Sequence, residues 1–271
     1  ENLGLLDEGE VRLIALHGVV GDVHGKSMPL TIAIDEALEA GASSIVQVGD
    51  FEVYRSQYKM GMLSEKLMDA GVELYFLPGN HEDWPYLNSI APNCGDPVMV
   101  APGITYMPVG TRGMVGEASF AVAGGAVSVN REKLIRTPGL HWYAEEEIAH
   151  EDAVRIASGG AVDIMFTHDC PDQYDLPLVL KGDWDEDMIA RSHEYRDRMA
   201  IVAHGLEPKL TVHGHHHMSY HDIAQVGTRE GSVVVGMDME FRPGARALLD
   251  TAYGTVRLHD GSVLHYEDWI G

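Results

Sequence analysis

The sequence predicts an α/β fold in which one domain, spanning residues 1–271, packs two sheets together. Strand-like and helix-like patterns alternate through the first half of the chain. Three of those strands stop at a glycine followed by a ligand-type polar residue. The second half adds further strands and ends in a hairpin signal, with no Pro/Gly/Ser-rich linker dividing the two halves.

The elements read in order as follows. Val11 to Val20 is an apolar, β-branched run suited to a buried strand, ending at Gly21-Asp22. A helix comes next, with Ser27 as N-cap, Pro29 in the first turn and Gly41 behind its end. Its residues Leu30, Ala33, Ile34, Ala37 and Leu38 recur at i, i+3, i+4 spacing, so one stripe packs on a sheet. Ile45 to Val48 stops at Gly49-Asp50, a short helix around Leu63 to Ala70 ends at Gly71, and Leu74 to Leu77 runs into Pro78-Gly79-Asn80-His81. Phe120 to Ala123 then leads into Gly124-Gly125. A helix from about Glu145 to Ser158 precedes Val162–Phe166 and Thr167-His168. Another, about Asp185 to His204 with Gly205 behind it, precedes Leu210–Val212. From Val233 onward the pattern is a meander, with Asp260-Gly261 as the turn of a hairpin between Thr255–His259 and Ser262–Tyr266. Ligands collect beyond the carboxyl ends of strands in open α/β sheets, and β-α-β connections place those ends on one edge. Asp22, Asp50 and Asn80 are therefore expected to converge.

Formal charge is −23, from 19 basic and 42 acidic residues. Nucleic-acid binding depends on Lys and Arg neutralising phosphates, so this field disfavours long DNA while leaving a small phosphorylated substrate compatible. Most of the acidic excess reads as solvated surface; part can hold cations. No apolar run reaches membrane-spanning length. Two cysteines, Cys94 and Cys170, cannot build a disulfide framework, which favours a reduced, cytoplasmic setting. The first residue is Glu1 rather than Met, so the lack of a signal peptide carries little weight.

Five blocks carry the chemistry: Gly21-Asp22-Val23-His24-Gly25, Gly49-Asp50, Gly79-Asn80-His81-Glu82, Thr167-His168 and Gly214-His215-His216-His217. Mixed carboxylate and imidazole donors without thiolate suit manganese, iron, zinc or nickel better than calcium. Asp-x-His and His-x-His let two side chains on one extended segment point the same way. As a set, the blocks resemble the calcineurin-like metallophosphoesterases, whose pattern is Asp-x-His, Gly-Asp, Gly-Asn-His-(Asp/Glu), a lone His and Gly-His-x-His. The likeness spans roughly residues 20 to 217. Gly124-Gly125-Ala126, Asn130-Arg131, Pro138-Gly139 and Trp142 are similar to a segment of bacterial and phage members.

The resemblance implies a four-layer α-β-β-α sandwich of two mixed sheets with helices outside. It also implies two metal ions, manganese foremost. Asp22, His24 and His217 would hold the first, Asn80, His168 and His215 the second, and Asp50 would bridge them. His81 would be an unligated acid or transition-state stabiliser at the leaving oxygen. Paired metals about 3.5–4 Å apart can activate a shared water for direct attack on phosphorus, so no Ser or Cys nucleophile is needed.

Other residues carry alternatives. His213 reads either as a group supporting the ligands or as a hydrogen-bonded core histidine, and Asp169 either as a partner of a ligand or as a turn residue. Asp83 suits a helix cap, while Glu82 is left open between orienting His81 and capping. Arg112, Arg131 and Arg136 are candidate phosphate contacts, with an ordinary salt bridge as the competing role. Asn80 and His81 are further candidate substrate contacts.

The phosphoprotein branch carries Gly-Asp-x-Val-Asp-Arg-Gly and an Arg before Gly-Asn-His-Glu. Here the chain reads Gly49-Asp50-Phe51-Glu52-Val53-Tyr54-Arg55, and Pro78 precedes Gly79. With those clamps missing or displaced, small phosphodiesters such as cyclic nucleotides are the expected substrates. A phosphomonoesterase or phosphoprotein phosphatase, or a non-catalytic metal-binding protein, is the alternative.

Overall fold

Alternate side chains of the central strands enter two different cores, and this sets the layering of the molecule. The computed structural model describes residues 15–92, 95–129, 138–139, 142–177 and 185–267. In the amino-terminal part, β1 (Leu16–Val20), α1 (Ser27–Glu39), β2 (Ser44–Gln47), α2 (Gln57–Ala70), β3 (Glu73–Phe76), α3 (Trp84–Ile90), β4 (Val98–Ala101) and β5 (Ile104–Tyr106) follow one another. Then come β6 (Arg112–Val115), β7 (Ala118–Ala123), α4 (His150–Ala157), β8 (Ile164–Thr167), α5 (Glu186–Leu206), β9 (Leu210–His213), β10 (Tyr220–Val226) and β11 (Arg229–Gly236). The chain returns through β12 (Arg246–Asp250), β13 (Thr255–Leu258) and β14 (Val263–His265).

One sheet has eight strands in the order β14-β13-β12-β1-β2-β3-β5-β4, the other six in the order β10-β11-β9-β8-β7-β6. The inner strands β1, β2, β3 and β5 run parallel, as do β7, β8, β9 and β11, with antiparallel strands outside them. Val19, Val46 and Leu77 of the first sheet meet Val122, Phe166, Val212 and Val235 of the second in a core between the sheets. Their neighbours Val20, Ile45 and Phe76 face the other way, against Leu30 and Ile34 of α1 and Leu63 and Leu67 of α2. Ala121, Met165 and Val234 likewise pack under Ile156 of α4 and Met199, Val202 and Leu206 of α5. Three cores thus separate four layers, helix-sheet-sheet-helix, as the period-two alternation of strand side chains requires.

Local differences from the sequence reading have physical causes. Lys26 occupies the N-cap of α1, with Ser27 as its first residue, and no side chain caps it. The second helix starts earlier than expected, at Gln57, because Ser56 accepts a hydrogen bond from the Lys59 N–H. The expected 145–158 helix is divided into a 3-10 turn, Ala144–Glu146, and α4. Gly205 lies inside α5, where an added Cβ would collide with Ala157 of α4, so it permits helix contact and terminates nothing; Glu207, in the left-handed region, ends the helix. Asp83 caps α3, accepting from the Tyr86 N–H at 3.1 Å. The hairpin at Asp260-Gly261 forms between β13 and β14.

His17 of β1 is a buried histidine, and burial holds its pKa down to about 4 from the usual 6.5. The unfolded chain therefore binds the extra proton first. Stability is fully present above about pH 6.5 and falls as pH drops towards 4. The expected loss over that window is on the order of 1–3 kcal/mol. Denaturant titrations of wild type and His17→Leu across pH 7 to 4 should show a shallower decline in the variant; identical declines would contradict this account.

Candidate metal centre

The carboxyl ends of β1, β2, β3, β8 and β9 lie on one edge of the sandwich, and the loops leaving them carry Asp22, His24, Asp50, Asn80, His168, His215 and His217. Six of these side chains meet directly, while the His215 ring stands 5.2 Å from that of His168 and its nitrogen groups with Asp169 and His216. His217 Nε2 stands 3.0 Å from Asp22 Oδ2, and His24 Nε2 stands 3.4 Å from Asp50 Oδ2. His168 Nε2 lies 3.3 Å from Asp50 Oδ1 and 3.1 Å from Asn80 Oδ1. Ligand atoms of Asp22, His24 and His217 fall within 4.8 Å of one another, as do those of Asp22, Asp50 and His168.

The backbone is bent to make this possible. His24, Asp50, His215 and His217 have φ of 44°, 54°, 64° and 51°, the left-handed region that non-glycine residues avoid. Such positions cost about 1–3 kcal/mol each and persist only where their surroundings impose them. Two glycines make room for the carboxylates. A Cβ on Gly79 would overlap Asp50 Oδ1, and a Cβ on Gly214 would overlap Asp22 Oδ1.

Supporting hydrogen bonds fix which atom of His168, Asn80 and His24 faces the centre. His168 Nδ1–H donates to the Val48 carbonyl at 2.8 Å, leaving Nε2 inward. Glu146 accepts from the Ser128 N–H at 2.8 Å and from its hydroxyl at 2.9 Å. Ser128 Oγ is then an acceptor for the Asn80 amide at 3.0 Å, so Asn80 turns its carbonyl oxygen inward. His24 Nδ1 donates to Glu240 Oε2 at 2.7 Å, and Lys26 pairs with the same carboxylate. Backbone N–H groups of His215 and His81 reach Asp22 and Asp50 at 3.1 Å and 2.8 Å. Glu82, fully buried, accepts from the Phe51 N–H and the Tyr54 hydroxyl, both at 2.7 Å. It ties down the loop after Asp50; it does not orient the His81 ring.

The charges are strongly coupled. Burial disfavours charge on His24 and His168, yet Asp50 and Asp22 beside them hold both imidazoles protonated up to about 10. Burial would raise Asp50, but His168 and His81 hold its carboxyl well below the usual range. Burial and the Asp50 charge push Glu82 up to about 7. Two buried carboxylates with converging imidazole and amide donors, those of His168, Asn80 and His24 with their inward atoms already selected, fit divalent transition-metal ions. A cation pair would take the role the imidazolium protons play between the carboxylates.

The remaining expectations fall elsewhere. Arg112 donates through Nη2 to the Gly160 and Ala161 carbonyls, at the amino end of β8, whereas His168 follows its carboxyl end. Arg131 and Arg136 lie outside the described residues. His213 is a core histidine whose Nε2 meets the Tyr220 hydroxyl at 2.7 Å. Asp169 pairs with His216 at 2.8 Å. Glu240 and Ser128 were not singled out from sequence. Neither sits in a glycine-flanked ligand block, and Glu240 is 216 residues from the histidine it orients.

A cleft of about 510 Å³ opens beside the centre, with Asp50, Asn80, His81, His215 and His217 on one side and Val127, Val129, Leu176 and Ile189 on another. Fold and donor set together define a metal-dependent phosphoesterase class. The model of the calcineurin-like phosphoesterases matches residues 18–219, and the chain belongs to that family. Among solved structures, a dimetal phosphatase from Danio rerio aligns with a TM-score of 0.57 and 13% identity over 94% of this chain and 99% of that one. A Thermus thermophilus protein aligns over 94% of this chain and 100% of that one, with 13% identity and a TM-score of 0.49. At such identity the Danio rerio structure supports the fold alone. No curated protein sequence matches the chain.

If Ser128 and Glu146 set the Asn80 amide, Ser128→Ala should weaken metal affinity or activity by about 10–100-fold while leaving the fold intact. Metal titration alongside circular dichroism checks this; wild-type affinity and activity in the variant would contradict it.

Proposed function

We propose that this chain hydrolyses small phosphodiesters, cyclic nucleotides or similar compounds, with two transition-metal ions, manganese foremost and iron, zinc or nickel as alternatives. The observation that carries the reading is the convergence of Asp22, His24, Asp50, Asn80, His168 and His217 beside the cleft. Asp22, His24 and His217 would hold one ion, Asn80, His168 and His215 the other, and Asp50 both. Bound there, the ions supply Lewis-acid charge that activates water and offsets the phosphate's negative charge. His81 lines the cleft next to Asn80, which supports a role for its ring in protonating the departing oxygen. Asn80, its amide held by Ser128, orients the phosphoryl group.

Two features favour a diester. Arg196 lines the cleft, but its Nε donates to the Cys170 carbonyl at 2.9 Å and its Nη1 pairs with Asp172 at 3.3 Å. Arg55 donates to the His81 carbonyl at 2.8 Å and pairs with Glu52. Guanidinium groups committed to the protein are less available to clamp a phosphate dianion, and a diester, with a single negative charge, needs less clamping. The apolar wall of Val127, Val129, Leu176 and Ile189 offers room for a second ester substituent. The supply of ligands from both sheets supports reading the chain as one domain. No helix among the described residues is long and apolar enough to cross a membrane, and the buried free thiol of Cys170 suits a reducing compartment such as the cytoplasm.

With manganese present, bis-(p-nitrophenyl) phosphate should be cleaved faster than p-nitrophenyl phosphate. His81→Ala should keep its metal while losing about 10²–10⁴-fold in rate. A faster monoester reaction would overturn the diester preference, and an unchanged rate in the variant would remove His81 from its role.

A further inference from the structure

The core between the sheets is incomplete at the end opposite the metal centre. His17 and Ser44 stand two residues before Val19 and Val46 on β1 and β2, so their side chains enter the same inter-sheet layer as those valines. Across from them lie Gly113 and Val115 of β6, Phe120 of β7 and Phe166 of β8. The glycine and the short Ser44 side chain leave a pocket of about 380 Å³, lined on other sides by Tyr75 and Met107. Apolar cavities of about 150 Å³ already admit benzene-sized molecules.

One polar atom in this cavity lacks a partner. His17 is only 3% exposed, its Nδ1 is fixed on Ser44 Oγ at 2.8 Å, and its Nε2 has no hydrogen-bond partner among the described residues. A buried, unsatisfied ring nitrogen costs about 1–3 kcal/mol. Arg112 is the one charged residue lining the space and its head is held by backbone carbonyls, so a cationic guest finds no counter-charge there. His17 lies five residues from Asp22, on the order of 16 Å along extended strand, and outside the metal centre.

We propose that this inter-sheet cavity is a binding site for a small uncharged aromatic alcohol, its ring between Phe120, Phe166, Val46 and Tyr75 and its hydroxyl on His17 Nε2. A hydroxyl both donates and accepts, so it satisfies either tautomer of the imidazole. The flat apolar body fills a space that rotamer-restricted strand residues leave open.

Phenol and toluene, alike in shape, are the probes. Titrations followed by NMR on the metal-loaded protein should show saturable phenol binding with shifts at His17, Val46 and Phe120. Phenol should bind about ten-fold more tightly than toluene, the worth of one hydrogen bond. In His17→Leu that preference should vanish, with phosphoesterase activity unchanged. The wild-type comparison stands even if the variant fails to fold. Absence of saturable phenol binding, equal affinity for the two probes, shifts confined to the metal cleft, or an ordered water that phenol does not displace would each overturn the proposal.

Discussion

Asp22 and Asp50 are two carboxylates buried to within 1% of full exclusion from solvent, and the protein around them is built to satisfy that charge. An isolated carboxylate in a low-dielectric interior is costly enough that it normally takes up a proton. At Asp50, despite burial, the imidazoles of His168 and His81 hold the carboxyl well below its usual range. Backbone N–H groups of His215 and His81 point at the oxygens, and His24, His168 and His217 supply compensating imidazoles. Removing the carboxylates would leave strained left-handed residues and inward-facing nitrogens with nothing to serve. A cation pair answers the same demand with more charge in less space.

The sandwich exists, in functional terms, to bring that demand to one place. Parallel inner strands in both sheets deliver their carboxyl ends to a shared edge, and the inter-sheet core holds the two edges in register. Three candidate ligands are then locked by a group further out: Val48 for His168, Ser128 and Glu146 for Asn80, Glu240 for His24. These outer groups act on which atom faces the centre, and that selection separates a metal-ready site from a merely polar cluster.

Much of this was legible in the sequence, and the reason is local. A buried parallel strand must be apolar throughout and must stop abruptly, so Gly21-Asp22, Gly49-Asp50 and Thr167-His168 announce both a strand end and a donor. The pattern of elements predicts two packed sheets, and the family resemblance implies the four layers. What was not legible depends on packing between distant segments. The short strands β4, β5 and β6 carry weak patterns and are stabilised by pairing with neighbours. Gly205 read as a helix stop because glycine often is one; its role in α5 is visible only once Ala157 of α4 lies against it. Glu240 looks like any loop acid until the fold sets it against His24. Arg112 was a candidate phosphate contact, with an ordinary salt bridge as the competing role, and its place on β6 turns it towards the amino end of β8.

The central claim is that the buried carboxylate pair is a cation trap. Elemental analysis of protein loaded with manganese and then desalted, run beside Asp50→Asn, tests it most directly. The wild type should retain about two metal ions per chain, as a paired-metal phosphoesterase centre requires. The variant should lose most of them while remaining folded. A wild-type protein that retains no metal, or a variant that retains as much as the wild type, would contradict the account.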